Sequence, residues 1–270
     1  SGALTKPLFS ENSGIYQPGQ TISIGITSEN PDAEIRITID GTEPQPFSSL
    51  YQYPYTTNQN VVVRARSFLD GWLPSDIESK TYVFDSPKDL PIIFITTDPN
   101  SFFDEDSGMY ALGLDADPNF PYFGANFWED WERPIHFEIL ELDGSGYSAN
   151  AGAKIFGGWS RGFPQKSLSI FARNQYGPNQ FDYSFFPELS FSTYESFVLR
   201  NSGNDWESTM MRDGFITTID DVVMVAPIIK EYMDVAVKND EHLVKLAGVI
   251  QRIIAKSSGG DEESFLLSDS

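Results

Sequence analysis

The sequence predicts a β-rich α+β chain: an N-terminal antiparallel β-sandwich, a second domain built on a sheet, and a C-terminal helical hairpin. Three observations carry this. Apolar and polar residues alternate with period two in short runs as far as residue 84, the mark of strands with one buried and one wet face. Further strand-like runs lie between residues 90 and 173. From residue 220 the apolar spacing turns helical, and only Tyr232 and Phe265 remain as aromatic residues.

In the first region, residues 21–27 and 34–39 alternate isoleucine with polar side chains, and the second run enters an Asp40-Gly41 turn. Residues 61–68 and 80–84 continue the pattern, with Gly71 and Pro74 between them. Four or more short strands without a helical period indicate a small sandwich over residues 1–85. Residues 85–89 are polar, contain Pro87 and read as a linker. A second region, 90–218, begins with the unbroken apolar run 90–97, the pattern of a strand covered on both faces. It passes through a loop-rich stretch to residue 127 and then gives three strands at 133–140, 152–157 and 166–173, the first followed by an Asp143-Gly144 turn. In the third region, 219–270, Pro227 opens one helix, Asn239 or Asp240 caps a second, and an acidic tail follows Gly260.

Composition excludes several functions. Lys and Arg number 18 against 39 Asp and Glu, a net charge of −21 that repels polyphosphate and argues against nucleic-acid binding. Aromatic residues make up 14% of the chain, enough apolar area to rule out disorder for most of it. With no cysteine there are no disulfides, thiolate metal sites or thiol nucleophiles. No apolar run reaches the length of a membrane span. The first residues show neither an initiator Met nor a signal peptide, so the chain reads as an excised piece of an exported protein.

The run Ile35-Arg36-Ile37-Thr38-Ile39-Asp40-Gly41-Thr42-Glu43-Pro44, then Ser49-Leu50-Tyr51, Val63-Arg64-Ala65-Arg66, Pro74-Ser75 and Thr81-Tyr82, resembles the immunoglobulin-like domain at the C-terminus of chitobiase-type hexosaminidases. In that family it is an accessory module. Trp72, Tyr53 and Tyr55 are its candidate glycan contacts, against the plain alternative that they cover sheet faces and loops.

A second resemblance covers residues 90–218. Thr96-Thr97-Asp98-Pro99, Phe103-Asp104, Gly108-Met109-Tyr110, Trp131-Glu132-Arg133-Pro134, Gly157-Gly158-Trp159-Ser160-Arg161, Pro164-Gln165-Lys166-Ser167-Leu168, Tyr176-Gly177, the run Leu199 to Trp206, and Met211-Arg212-Asp213 occur in the order seen in the CotH family of atypical protein kinases, known from spore coats. The resemblance implies a partial kinase-like mixed-sheet domain. It also implies ATP and Mg²⁺ as cofactors, Ser or Thr of exported or coat proteins as acceptors, and an extracellular or cell-surface location in bacteria.

The residues themselves give part of that chemistry. Phosphoryl transfer needs fixed cations over the phosphates. Arg161, just after a glycine pair, and Lys166, opening a strand, are placed to aim two cations at one site, with Arg200 and Arg212 as further anion ligands. The alternative for each is solubility or a local ion pair. The metal-bearing half is not recognisable: none of Asp205, Asp213, Asp220 and Asp221 aligns with the family's catalytic aspartate, and capping or a helix-structural role for Arg212-Asp213 suits them better. Asp104 with Asp106, or Asp115 with Asp117, offer hard oxygens for Ca²⁺ without an EF-hand loop. His136, inside an alternating strand, and His242 read as structural. The expectation is a CotH-like kinase fragment that is catalytically incomplete, with a protein substrate; the rival is a cell-surface adhesion module whose partner is a glycan.

Overall fold

The computed structural model describes residues 2–84, 90–187 and 189–203. The linker 85–89, the helical hairpin expected within 219–270, and Arg212, Asp205, Asp213, Asp220, Asp221 and His242 lie outside the described residues.

Nine strands build the first sandwich: β1 (Leu8–Phe9), β2 (Gly14–Ile15), β3 (Ile22–Ile24), β4 (Ile26–Thr27), β5 (Glu34–Thr38), β6 (Ser49–Leu50), β7 (Tyr55–Thr57), β8 (Val61–Phe68) and β9 (Glu78–Val83). One sheet runs β2-β9-β8-β5-β6, and the short pairs β3-β7 and β1-β4 complete the sandwich. Alternation does what the sequence asks of it: Ile22 and Ile24 of β3, Ile35 of β5, and Val63 and Ala65 of β8 point into one core, closed by Tyr82 and Phe84. The run 21–27 is broken at Gly25, whose N–H goes to the Ser10 hydroxyl (2.8 Å) instead of a partner strand. One pairing departs from the antiparallel expectation. β2 runs parallel to β9, which is possible because residues 14 and 82 are far apart in sequence and no tight hairpin dictates their direction.

The second region holds β10 (Ile92–Thr96), β11 (Glu132–Leu140), β12 (Gly146–Phe156), β13 (Ser167–Phe171), β14 (Phe181–Asp182), β15 (Thr193–Tyr194) and β16 (Ser196–Leu199), with one short helix, α1 (Pro99–Phe103). Asp98 caps α1, its carboxylate accepting from the N–H of Asn100 (2.9 Å). The sheet order is β10-β11-β12-β13-β16, and every pair is antiparallel. The mixed pairing expected here is therefore found in the first sheet. Connections as short as residues 141–145 between β11 and β12 permit only antiparallel neighbours. The run 90–97 also differs from expectation: β10 is an edge strand, half-buried, with Ile93 exposed. Burial on both faces belongs to β11, where every residue from Ile135 to Leu140 is buried.

That burial has two causes. Ile135, Phe137 and Ile139 enter the second core with Ala151, Ala153, Ile155, Leu168 and Ile170, walled by the rings of Phe181, Phe185 and Phe197 at centroid separations of 4.8–6.3 Å. The alternate residues His136 and Glu138 face the first sandwich. One Glu138 carboxylate oxygen accepts from the Ser13 hydroxyl and the other from the Thr81 hydroxyl, and Glu138 is 1% exposed. The Ser13 oxygen in turn accepts the Thr81 N–H (3.0 Å). A second contact lies at Gly41 (φ +86°), where an added Cβ would sit 3.0 Å from the Thr97 carbonyl. The Arg64 guanidinium holds that turn through the Gly41 carbonyl (2.6 Å). No helix among the described residues is long and apolar enough to cross a membrane.

Phe137 is fully buried and Phe47 is 87% exposed. Urea unfolding of Phe137→Ala is expected to show a loss of about 3–5 kcal/mol, and Phe47→Ala a change within about 0.5 kcal/mol.

Candidate functional site

The chain between β12 and β13 makes the turn on which the predicted cations lie. Gly157, at φ +110°, takes the chain out of β12 in a conformation that side chains resist, and a Cβ there would meet the Ser160 hydroxyl at 2.6 Å. Residues Trp159–Gly162 follow as a single 3₁₀ turn, and Lys166 precedes the first residue of β13.

Three polar side chains hold this segment. Arg161 closes its start: Nε donates to the Gly157 carbonyl (2.7 Å), and Nη1 donates to the carbonyls of Phe127 (3.1 Å) and Trp128 (3.4 Å) on the neighbouring 3₁₀ turn Asn126–Trp128. Lys166 holds the middle, its ammonium donating to the carbonyls of Arg161 (2.7 Å) and Phe163 (2.9 Å). Asn201 holds the end: Nδ2 donates to the Gln165 carbonyl (2.5 Å), while Oδ1 accepts from the Ser167 hydroxyl (2.8 Å). Arg161 and Lys166 are thus brought onto one turn, but each cationic group is directed at backbone carbonyls and the two touch through the Arg161 carbonyl.

The surroundings of Lys166 are unusual for a lysine. Only 8% of it is exposed, and its Nζ lies 3.9 Å from the centre of the Phe127 ring and 5.6 Å from that of Tyr110. Among the described residues no carboxylate pairs with it. Removal of the ammonium from water lowers its pKa to about 8. Carbonyl dipoles and an aromatic face partly replace the lost hydration. Two of its three N–H bonds are used by the carbonyls. Outside the turn, Phe120, Phe123 and Trp159 form an exposed aromatic wall, with Phe120 and Phe123 ring centres 5.9 and 6.4 Å from that of Trp159.

The other predicted residues are placed elsewhere or differently. Arg200 is exposed just after β16. Tyr53 is exposed in the loop before β7, Tyr55 is half-buried against the first core, and Trp72 lays its indole against Gly2. The Asp104 carboxylate accepts from the N–H groups of Asp106 (3.1 Å) and Ser107 (2.9 Å) and from the Ser107 hydroxyl (2.8 Å). Those bonds pull its pKa down. Asp117 likewise accepts from Asn119. Among the described residues no three His, Asp or Glu side chains converge as a metal site. His136 is buried on β11. Sequence reasoning passed over Asn201 as a loop-holding residue, although the Leu-Arg-Asn-Ser run contains it, and passed over Glu138, which shares a strand face with His136.

Residues 11–79 match the family model of the chitobiase/beta-hexosaminidase C-terminal domain, and residues 153–247 match that of the CotH kinase protein. The two matches fall in the order that the sequence motifs predict. The second begins at the strand leading into the Gly157 turn, takes in Arg161, Lys166, Arg200 and Arg212, and continues past Thr218. No curated protein and no solved structure matches the chain.

With the folded-state pKa of Lys166 below its ordinary 10.5, the unfolded chain binds more protons than the folded one between about pH 8 and pH 10.5. Stability contributed by this site therefore rises with pH across that window. The stability of wild type relative to Lys166→Met, from denaturant unfolding, is expected to increase between about pH 7.5 and pH 9.5. A constant difference would mean that the ammonium is not desolvated.

Proposed function

We propose that the CotH-like region of this chain binds the phosphates of ATP at the turn 157–166, as the phosphate-holding part of a protein kinase acting on exported proteins. The observation that carries the reading is Lys166, an ammonium buried with no carboxylate paired to it among the described residues. Such a group is stabilised by an anion, and of its surroundings only carbonyl oxygens and rings now offset its charge. Lys166 fits a phosphate through its remaining N–H. Arg161 shapes the turn on which Lys166 rests, and Arg200 and Arg212 are the further cations assigned to the nucleotide. Mg²⁺ would supply charge neutralisation to the phosphates of ATP; no residue of this chain is assigned to hold it.

In the transfer itself, the bond between the γ-phosphorus and the bridging oxygen of ATP breaks and a bond to a Ser or Thr hydroxyl oxygen forms. ADP leaves with the bridging oxygen, and the hydroxyl proton passes to solvent. In this chain binding is proposed to outlast turnover, because none of Asp205, Asp213, Asp220 and Asp221 aligns with the family's catalytic aspartate. The first sandwich is proposed as an accessory module of the same extracellular protein, at a bacterial cell surface or spore coat, and Ca²⁺ is assigned no part in the reaction.

Thermal unfolding in millimolar ATP with Mg²⁺ tests the reading. Ligand at ten times its Kd stabilises by about 1.4 kcal/mol, which raises Tm by about 3–6 °C in a chain of this size. That rise should be absent with adenosine and absent in Lys166→Met. A flat Tm at all nucleotide concentrations removes the proposal. Phosphate transfer to a serine-rich protein, measured in the same samples, should be far weaker than binding.

A further inference from the structure

Side by side on β11, His136 and Glu138 face the first sandwich, and the pair is not in electrostatic balance. The His136 Nδ1 lies 2.9 Å from the Asn150 amide oxygen on β12, so Nδ1 carries the ring proton. That leaves Nε2 a bare lone pair, buried, and among the described residues it has no hydrogen-bond partner. Its nearest charged neighbour is the Glu138 oxygen at 4.0 Å, the same oxygen that accepts from the Ser13 hydroxyl. A lone pair beside a carboxylate gains nothing, whereas a protonated Nε2 would form a charge-assisted bond there.

Protonation therefore sets up a competition for one oxygen. Closing 4.0 Å to bonding distance moves the Glu138 carboxylate toward the imidazolium and away from Ser13. The Ser13 hydroxyl also anchors the Thr81 N–H, and the Thr81 hydroxyl bonds the other Glu138 oxygen, so both links from the first sandwich depend on where this carboxylate sits. Water has a place beside the displaced carboxylate. A cleft of about 230 Å³ lies at the junction, lined by polar groups of both regions, among them Asn12, Ser13, Lys80, Glu138 and Ser148. The charged groups facing His136 are Glu138 on its own strand and Glu78 and Lys80 on β9, with Lys6 paired to Glu78 (3.4 Å).

We propose that the junction between the first sandwich and the second sheet is an acid-opened latch. Protonation of His136 draws Glu138 off the hydroxyls of Ser13 and Thr81 and admits water, while both cores stay folded. Burial, the largest influence on the imidazole, pulls its pKa below the ordinary 6.5, opposed by Glu138, Asn150 and Glu78. The sign follows: the folded junction binds fewer protons than the opened one, so opening grows as pH falls below about 6.5.

Proton NMR of the full chain tests this directly, because His136 and His242 are its only histidines and one variant assigns both resonances. The reporter is the Thr81 amide, which is bonded within the first sandwich to the Ser13 hydroxyl, the same hydroxyl that reaches Glu138 across the junction. Between about pH 7.5 and pH 5, exchange of that amide, corrected for intrinsic rate, is expected to rise by about tenfold. The midpoint should coincide with the titration of His136, while the amides of Ile24 and Ile170 keep their protection. His136→Gln should abolish the rise. Should that variant fail to fold, the single change Ser13→Ala serves: it removes one of the two hydroxyls and the acceptor of the Thr81 N–H, and should leave the Thr81 amide unprotected at neutral pH and indifferent to acid while Ile24 and Ile170 keep their protection. The latch is refuted if His136 titrates with no change at Thr81, if Thr81 protection increases in acid, or if the cores lose protection together with it.

Discussion

A carboxylate enclosed between two sheets is the constraint around which residues 2–203 are arranged. Glu138 lies on a strand whose other face fills the second core, and its charge is taken up by two hydroxyls from the first sandwich. A carboxylate with 1% exposure and no such donors would be strongly destabilising. The chain must therefore bring Ser13 and Thr81, 68 residues apart, to the same point before β11 can bury both faces. Arg64, which fixes the Gly41 turn against Thr97, reinforces the same approach from another corner, and Asp98 is among the carboxylates that offset its burial. The two regions have separate cores yet are joined by polar contacts. Such contacts set orientation strictly while contributing little net stability, because each replaces a bond to water.

The turn beyond β12 meets the opposite problem, a buried cation, by different means. Lys166 has carbonyls and an aromatic ring around it where Glu138 has hydroxyls. Carbonyl dipoles solvate an ammonium without neutralising it, and among the described residues no carboxylate compensates this charge in a chain whose net charge is −21. That contrast separates a structural charge from one left available to an anion. Arg161 falls between the two: its guanidinium is spent on shaping the turn, and the shape in turn aims the Arg161 carbonyl at Lys166.

Much of this was legible beforehand, for identifiable reasons. β8 was readable to its ends, 61–68, because three consecutive valines and a following alternation leave no competing helical period. β12 was readable only from 152, since Gly146, Ser148, Asn150 and two alanines have weak strand preference; pairing with β11 from Gly146 to Lys154 makes them a strand. The run 90–97 looked like an interior strand because hydrophobicity records what a residue tolerates, and its place at the edge follows from sheet order, which local pattern does not contain. The spacing of Arg161 and Lys166 around the glycines suggested two cations aimed at one site, whereas the direction of their side chains depends on local carbonyls and on Phe127 and Trp128, more than thirty residues earlier.

The amino-acid sequence alone determined where the alternating strands β5 and β8 lie, that β11 is a strand, and the two family resemblances, because each of these rests on periodicity or on residue types a few positions apart. Tertiary structure alone decided that Glu138 is a joint between sheets, that Nε2 of His136 beside it has no hydrogen-bond partner among the described residues, and that Lys166 lies against rings and carbonyls. Those are statements about which distant groups exclude water from one another, and desolvation depends on three-dimensional neighbours that no local pattern encodes.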